Sequence, residues 1–185
     1  MTILNYVCGF DEVGRGAIAG PVVVASVVFY NYTSIPDGIK DSKKISAVKR
    51  LILCKKIKRV ANVGLGIVMP NIIDSIGISK ATNLAAQRSI PQHLSVKKNL
   101  LDGNIKIDTN NSVLNIIKGD ENYVSIAAAS IIAKVTRDKI MVNKSKENNR
   151  YKWDKNKGYG TKDHLLAIKK YGITNFHRKS FNLHT

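Results

Sequence analysis

The sequence predicts an α/β fold in which a mixed sheet is covered by helices. Three observations carry that reading: β-branched apolar runs of strand length, segments of helical pattern between them, and Gly or Pro punctuation where one gives way to the next. The chain has 185 residues, enough for one sizeable core. It shows no repeat, low-complexity tract or linker, so residues 1–185 are expected to form a single domain.

Tyr6 to Phe10 reads as the first strand and Val22 to Tyr30 as the second, joined by a Gly-rich connection. Ser46 is placed to cap a helix running to Val60. Val63 to Met69 is a short apolar strand closed by Pro70, and a helical region from Asn71 to Ile90 follows, with a break at Gly77. Asn99 to Leu101 forms a strand ending at Asp102-Gly103-Asn104, and Val113 to Lys118 another. The strongest helix pattern runs from Asn122 to Asn143. Ala127, Ala128, Ile131, Ile132 and Val135 give it an apolar face, and Ser130, Lys134, Arg137 and Asp138 share the opposite one. A last helix, Lys162 to Tyr171, ends at Gly172, a suitable residue to follow a helix.

Charge narrows the partner. Thirty Lys and Arg against 13 Asp and Glu leave +17, a field that attracts polyanions: nucleic acid first, an anionic membrane surface second. The basic residues are 23 Lys and 7 Arg, beside 17 Asn and 23 Ile. Lys, Asn and Ile all have AT-rich codons, so genome composition is a second source of the same charge.

Several classes drop out. Cys8 and Cys54 are too few for a disulfide framework and fit a reducing cytoplasm. The first twelve residues lack a basic n-region, so no signal peptide is expected. The longest uncharged stretch, residues 16–36, contains Gly20, Pro21 and Asn31, and its apolar part is only strand-length. A buried strand accounts for it better than a membrane span.

In so basic a chain, acids at the ends of apolar strands stand out. Asp11 and Glu12 follow the first strand, Asp102 follows another, and Asp120 precedes the Ala-rich helix. Clustered carboxylates repel one another unless a cation neutralises them, and hard divalent ions take carboxylate oxygens. Held in that way, Mg²⁺ or Mn²⁺ can promote phosphodiester cleavage. Solvated turns use Asp-Gly-Asn as freely, so spacing leaves both readings open. Neighbours on an ideal strand also point to opposite faces. For Asp11 and Glu12 to share a site, the strand is expected to end or twist near Gly14 and Gly16.

The run Gly9 to Val22, with Asp11-Glu12-Val13-Gly14-Arg15-Gly16 inside it, resembles the opening motif of the ribonuclease HII family. Asp41-Ser42-Lys43-Lys44-Ile45-Ser46 resembles its second motif, and Asp102-Gly103-Asn104 and Lys118-Gly119-Asp120 its later acidic positions. Ser125 to Asp138 is similar to its signature helix. Lys157-Gly158-Tyr159-Gly160-Thr161 through His164, and His177 to Phe181, are similar to its C-terminal blocks. Residues 151–156 depart from the commoner pattern, which leaves the local loop geometry open.

The resemblance implies a ribonuclease H-like fold: a mixed five-stranded sheet flanked by helices, with a small helical C-terminal region from about residue 145 to 185. It implies an endonuclease that cuts the RNA strand of RNA–DNA hybrids and the 5′ side of single ribonucleotides embedded in duplex DNA, as ribonucleotide excision repair requires. Asp11, Glu12, Asp102 and Asp120 would be catalytic and hold two Mn²⁺ or Mg²⁺ ions, leaving a 3′-hydroxyl and a 5′-phosphate. A helix N-terminus after Asp120 would favour its ionised form.

Recognition must detect the 2′-hydroxyl, which separates RNA from DNA at a given nucleotide. Gly14 and Gly16 lack a Cβ to obstruct close backbone approach, and a tight turn after a strand uses glycine in the same way. By resemblance, Gly14, Arg15, Gly16 and Tyr159 read the RNA–DNA junction, with the Tyr159 ring on the following sugar. Ser42 and Lys43 suit phosphate contacts. Lys134 and Arg137 suit them equally well as a solvated face. His164 and His177 read as structural, and Trp153 as a packing residue. A cytoplasmic monomer acting on nucleic acid, with no membrane association, is expected. The rivals are a non-catalytic RNA-binding protein, which would tolerate neutralised acids, and another nuclease of the same fold superfamily, which would lack the Gly-Arg-Gly and tyrosine elements.

Overall fold

Every residue of Val22–Phe29 is buried, a state a strand reaches only when both its faces are covered. The computed structural model describes residues 6–40, 42, 45–91 and 96–183; Asp41, Lys43, Lys44, His93 and His184 lie outside the described residues. The strands are β1 (Tyr6–Val13), β2 (Val22–Phe29), β3 (Ala61–Val68), β4 (Val96–Asp102) and β5 (Ser112–Ile116), in the order β3-β2-β1-β4-β5. The pairs β1/β2 and β2/β3 are antiparallel, while β1/β4 and β4/β5 are parallel. This is the mixed five-stranded sheet the sequence predicts.

The helices are α1 (Ala47–Val60), α2 (Pro70–Ile76), α3 (Ile78–Arg88), α4 (Gly119–Asn122), α5 (Val124–Glu147), α6 (Trp153–Asn156) and α7 (Lys162–Tyr171). Strand alternation sorts β2 between two cores. Val22, Val24 and Val28 join Phe10 and meet Ile73 of α2 and Ala81 and Ala85 of α3. Val23, Ala25 and Val27 meet Leu53 and Ile57 of α1, and Ala128, Ile131 and Ile132 of α5. Each fully buried isoleucine there contributes roughly 1.5–3 kcal/mol.

The Ala-rich helix sits unusually close to β1. A Cβ on Gly9 would fall 2.4 Å from the backbone nitrogen of Ile126, so only glycine lets the two backbones meet. A third cluster, Ala19, Met141, Tyr151, Trp153, Ala167 and Phe176, ties the C-terminal residues to the far end of α5. Trp153 packs there as expected, its ring stacked on Tyr151 at 5.0 Å.

Three sequence expectations are revised. Pro70 does not merely close β3; it is the first residue of α2, where its missing N–H leaves no bond unmade. The strand β1 does not end at Asp11 but keeps its pairing with β2 through Val13. The Ala-rich helix begins at Val124, and Asp120 belongs to the separate turn of α4, too short to carry a substantial dipole. No helix among the described residues is long and apolar enough to cross a membrane.

Candidate active site

The parallel pairing of β1 with β4 builds the centre of the site. Phe10 is opposite Leu101 in the register, so the next residue of each strand, Asp11 and Asp102, comes out at the same sheet end. Carboxyl ends of parallel strands are where open α/β sheets place ligands. The backbone N–H of Gly119 donates to Asp102 Oδ1 at 2.8 Å, which draws the start of α4, and Asp120 with it, to the same rim. Carboxylate oxygens of Asp11, Glu12 and Asp102 lie within 4.8 Å of one another, although Asp11 and Glu12 are strand neighbours.

These acids line one cleft of about 340 Å³ together with Val13, Ser42, Asp120, Ser130, Lys134 and Tyr159. The four predicted acids, Ser42 and Tyr159 are thus brought together from five separate parts of the chain. Gly14, Arg15 and Gly16 stand beside the cleft rather than in its wall. Arg15 reaches Glu12 at 3.6 Å, Nη1 to Oε1, and the pair is partly exposed. Among the described residues nothing lies within 4 Å of the position a Cβ would take on Gly16, so close approach from outside is open there.

The electrostatics are those of crowded, buried carboxylates. Burial, then repulsion from Glu12, pushes the Asp11 carboxyl well above the usual range, against a Ser130 hydrogen bond that lowers it. Burial also raises Glu12, with Arg15 opposing. Glu12 Oε2 is buried and has no hydrogen-bond partner among the described residues. A buried acceptor without a donor is costly, and three carboxylates around one point match the hard oxygen ligands that a divalent ion takes.

Ser42 is held deeply rather than presented on a surface. Its Oγ shares a hydrogen bond with Ser130 Oγ at 2.8 Å, and Arg50 Nη1 donates to its carbonyl at 2.6 Å. Lys134 lines the cleft while ion-paired to Asp138 at 2.8 Å.

Arg137 corrects the sequence reading most sharply. It is fully buried, so it is neither a solvated residue nor a phosphate contact. Its Nε donates to Pro21 O at 2.8 Å, Nη2 to Ala19 O at 3.0 Å and Nη1 to Lys157 O at 2.7 Å. Its guanidinium lies 5.3 Å from the centre of the Tyr159 ring. Helical spacing correctly separates it from the apolar face of α5, but spacing alone does not show that two loops fold over that other face. Arg178 was also missed as a buried cation. His164 and His177 are buried, as a structural role requires.

Comparison with known proteins agrees with this geometry. The sequence profile of the family "Ribonuclease HII" matches residues 8–184. Ribonuclease HII of Wolbachia pipientis from Culex pipiens is 45% identical over 181 residues, covering 97% of this chain and 92% of the relative. That of Wolbachia pipientis wMel is 48% identical over 176 residues, 95% and 89% of the two chains. Among solved structures, ribonuclease HII of Archaeoglobus fulgidus, determined as a complex with PCNA, superimposes with a TM-score of 0.79 at 26% identity, over 97% of this chain and 96% of the other. With its acids gathered at the carboxyl ends of β1 and β4, and its likeness running from one end of the chain to the other, this protein belongs to the ribonuclease HII family of nucleases.

Proposed function

We propose that this chain is an endoribonuclease that cuts the RNA strand of RNA–DNA hybrids and nicks duplex DNA on the 5′ side of a single embedded ribonucleotide. The observation that carries the reading is the convergence of Asp11, Glu12 and Asp102 within 4.8 Å, with a buried Glu12 oxygen that has no partner among the described residues. Asp11, Glu12, Asp102 and Asp120 would hold two Mn²⁺ or Mg²⁺ ions. When bound, divalent ions supply positive charge that favours ionisation of the attacking water and stabilises the departing 3′ oxygen. The O–P bond forms from water as the P–O3′ bond breaks, giving a 5′-phosphate and a 3′-hydroxyl.

The chain's own groups supply position. Ser42 and Lys43 would contact backbone phosphate. Gly14, Arg15 and Gly16 would bring main-chain groups to the 2′-hydroxyl, Gly16 having the open approach. The Tyr159 ring, backed by Arg137, would stack on the next sugar, where a second 2′-hydroxyl has no room. The C-terminal region, residues 145–185, completes the substrate site by carrying Tyr159. The net charge of +17 suits a polyanionic duplex, and a cytoplasmic monomer is the expected state.

The test is a DNA duplex with one internal ribonucleotide, incubated with Mn²⁺ or Mg²⁺. One nick on its 5′ side, abolished in Asp11→Asn, is the expected result. Absence of a nick, or an unimpaired Asp11→Asn, overturns the reading.

A further inference from the structure

The two loops assigned to substrate reading are held by a segment with no part in that assignment. The turn after β1 and the loop before α7 touch directly: Ile18 N and Ala19 N both donate to Gly158 O, at 2.9 and 3.1 Å. Residues 176–178 close over the same turn. Gly20 N donates to Phe176 O at 2.8 Å, Arg178 N donates to Ile18 O at 2.8 Å, and Ala19 and His177 form an antiparallel bridge.

Successive side chains of a bridged segment leave on opposite sides, and here the two sides serve different loops. Arg178 is fully buried; its Nε donates to Gly20 O at 3.0 Å and its Nη1 to Arg15 O at 2.9 Å. A guanidinium costs more to bury than an apolar side chain, and this one is spent on two carbonyls of the stretch that follows β1, Arg15 within the Gly-Arg-Gly turn and Gly20 beyond it.

His177 faces the other way, into a hydrogen-bond chain whose ends fix its direction. The Thr174 N–H can only donate, so His177 Nδ1 accepts from it at 2.9 Å, and the proton of that ring sits on Nε2. His177 Nε2 then donates to His164 Nε2 at 3.1 Å, which also accepts from the Trp153 indole N–H at 3.1 Å. His164 therefore carries its proton on Nδ1 and donates it to Tyr159 O at 2.9 Å. Both rings are neutral in this arrangement, and burial lowers the pKa of both.

We propose that residues 176–178 and His164 are a positioning element for substrate reading: Arg178 sets the Gly-Arg-Gly turn, and His177, through His164, sets Tyr159. The proposal rests on the reading that these loops contact the ribonucleotide. Held by one segment, the turn and the ring keep a fixed separation, and a displacement of about 1 Å in such a pair can cost on the order of 100-fold in rate.

The experiment compares kcat/KM on a DNA duplex with one ribonucleotide against kcat/KM on an all-RNA strand paired with DNA, using Mn²⁺ and the full chain. His164→Ala and Arg178→Lys are expected to lower the ratio by roughly 10-fold. His164→Asn keeps an N–H near the Nδ1 position and should return it to within about 3-fold of wild type. An unchanged ratio in His164→Ala, or an Asn variant as impaired as the Ala variant, overturns the proposal. Should His164→Ala not fold, His164→Asn is compared with His164→Gln, whose amide extends toward the Nε2 position; equal ratios overturn it. Tyr159→Ala separates the two levels. If it keeps the ratio, the reading of Tyr159 fails and the proposal with it. If it lowers the ratio and His164→Ala does not, the positioning element alone is refuted.

Discussion

The guanidinium of Arg137 occupies the space that a side chain on residue 14 would need. A Cβ on Gly14 would fall 2.1 Å from Arg137 Nε, and Gly14 has a φ of +92°. Two separate requirements for glycine coincide there, one conformational and one steric.

Gly14→Ala is therefore expected to destabilise the protein by about 2–5 kcal/mol, combining roughly 1–2 for the left-handed backbone with 1–3 for overpacking. In an Arg137→Ala background only the conformational part remains, so the same change should cost about 1–2 kcal/mol. Urea midpoints of the four proteins give the cycle. Equal costs in both backgrounds would remove the steric requirement.

The acid cluster predicts the response to metal. Saturating Mn²⁺ at about 100 times its dissociation constant should raise Tm by roughly 5–10 °C, and a chelator should reverse the rise. Asp11→Asn should lose most of that shift and at least ~10³-fold of activity, since several kcal/mol of transition-state stabilisation goes with the ions. In chelator the variant should melt above the wild type, because a buried charge repelled by Glu12 has gone. Differential scanning calorimetry measures the melting temperatures, and the nicking assay the loss of activity.

Acid should loosen the C-terminal cluster before carboxylates in general titrate. Burial, and then His164, push His177 down to about 4 from an ordinary 6.5. The unfolded chain takes up that proton first, so this contribution to stability is complete above about pH 6.5 and is lost as pH falls toward 4. His177→Gln keeps a donor toward His164 and cannot titrate. Its urea midpoint should fall less than that of wild type between pH 7 and 4.5. Parallel pH curves for the two proteins would refute the assignment.

Gly9 gives a purely steric forecast. A methyl group there meets the backbone of Ser125 and Ile126, which cannot move aside as a flexible side chain would. Gly9→Ala should cost about 1–3 kcal/mol by chemical denaturation, and activity should fall with it, because Asp11 lies two residues along the same strand.

Alternation and capping made most of the fold legible. Val22 to Phe29 announced a buried strand, Ser46 capped α1 where expected with its Oγ accepting from Lys49 N–H, and α7 spans the residues its pattern marked. The acids were legible as strand-end residues, but their convergence was not. That depends on β1 lying beside β4, a pairing across about ninety residues that no local pattern encodes. Arg137 and Arg178 escaped for a related reason. What they hold is backbone carbonyl, and carbonyls look alike at every position of a sequence.

The bridge between Ala19 and His177 also orders events in time. Chains fold in large part from the N-terminus as they are made, and the predicted acids have all been synthesised by residue 120. Residues 176–178 follow much later, and until they arrive nothing from that segment pins the turn at Arg15 or the loop at Tyr159. On the proposed reading, a truncated or unfinished chain would carry every carboxylate for cutting without the brace for discrimination. Selectivity would then be the last property of the protein to be assembled.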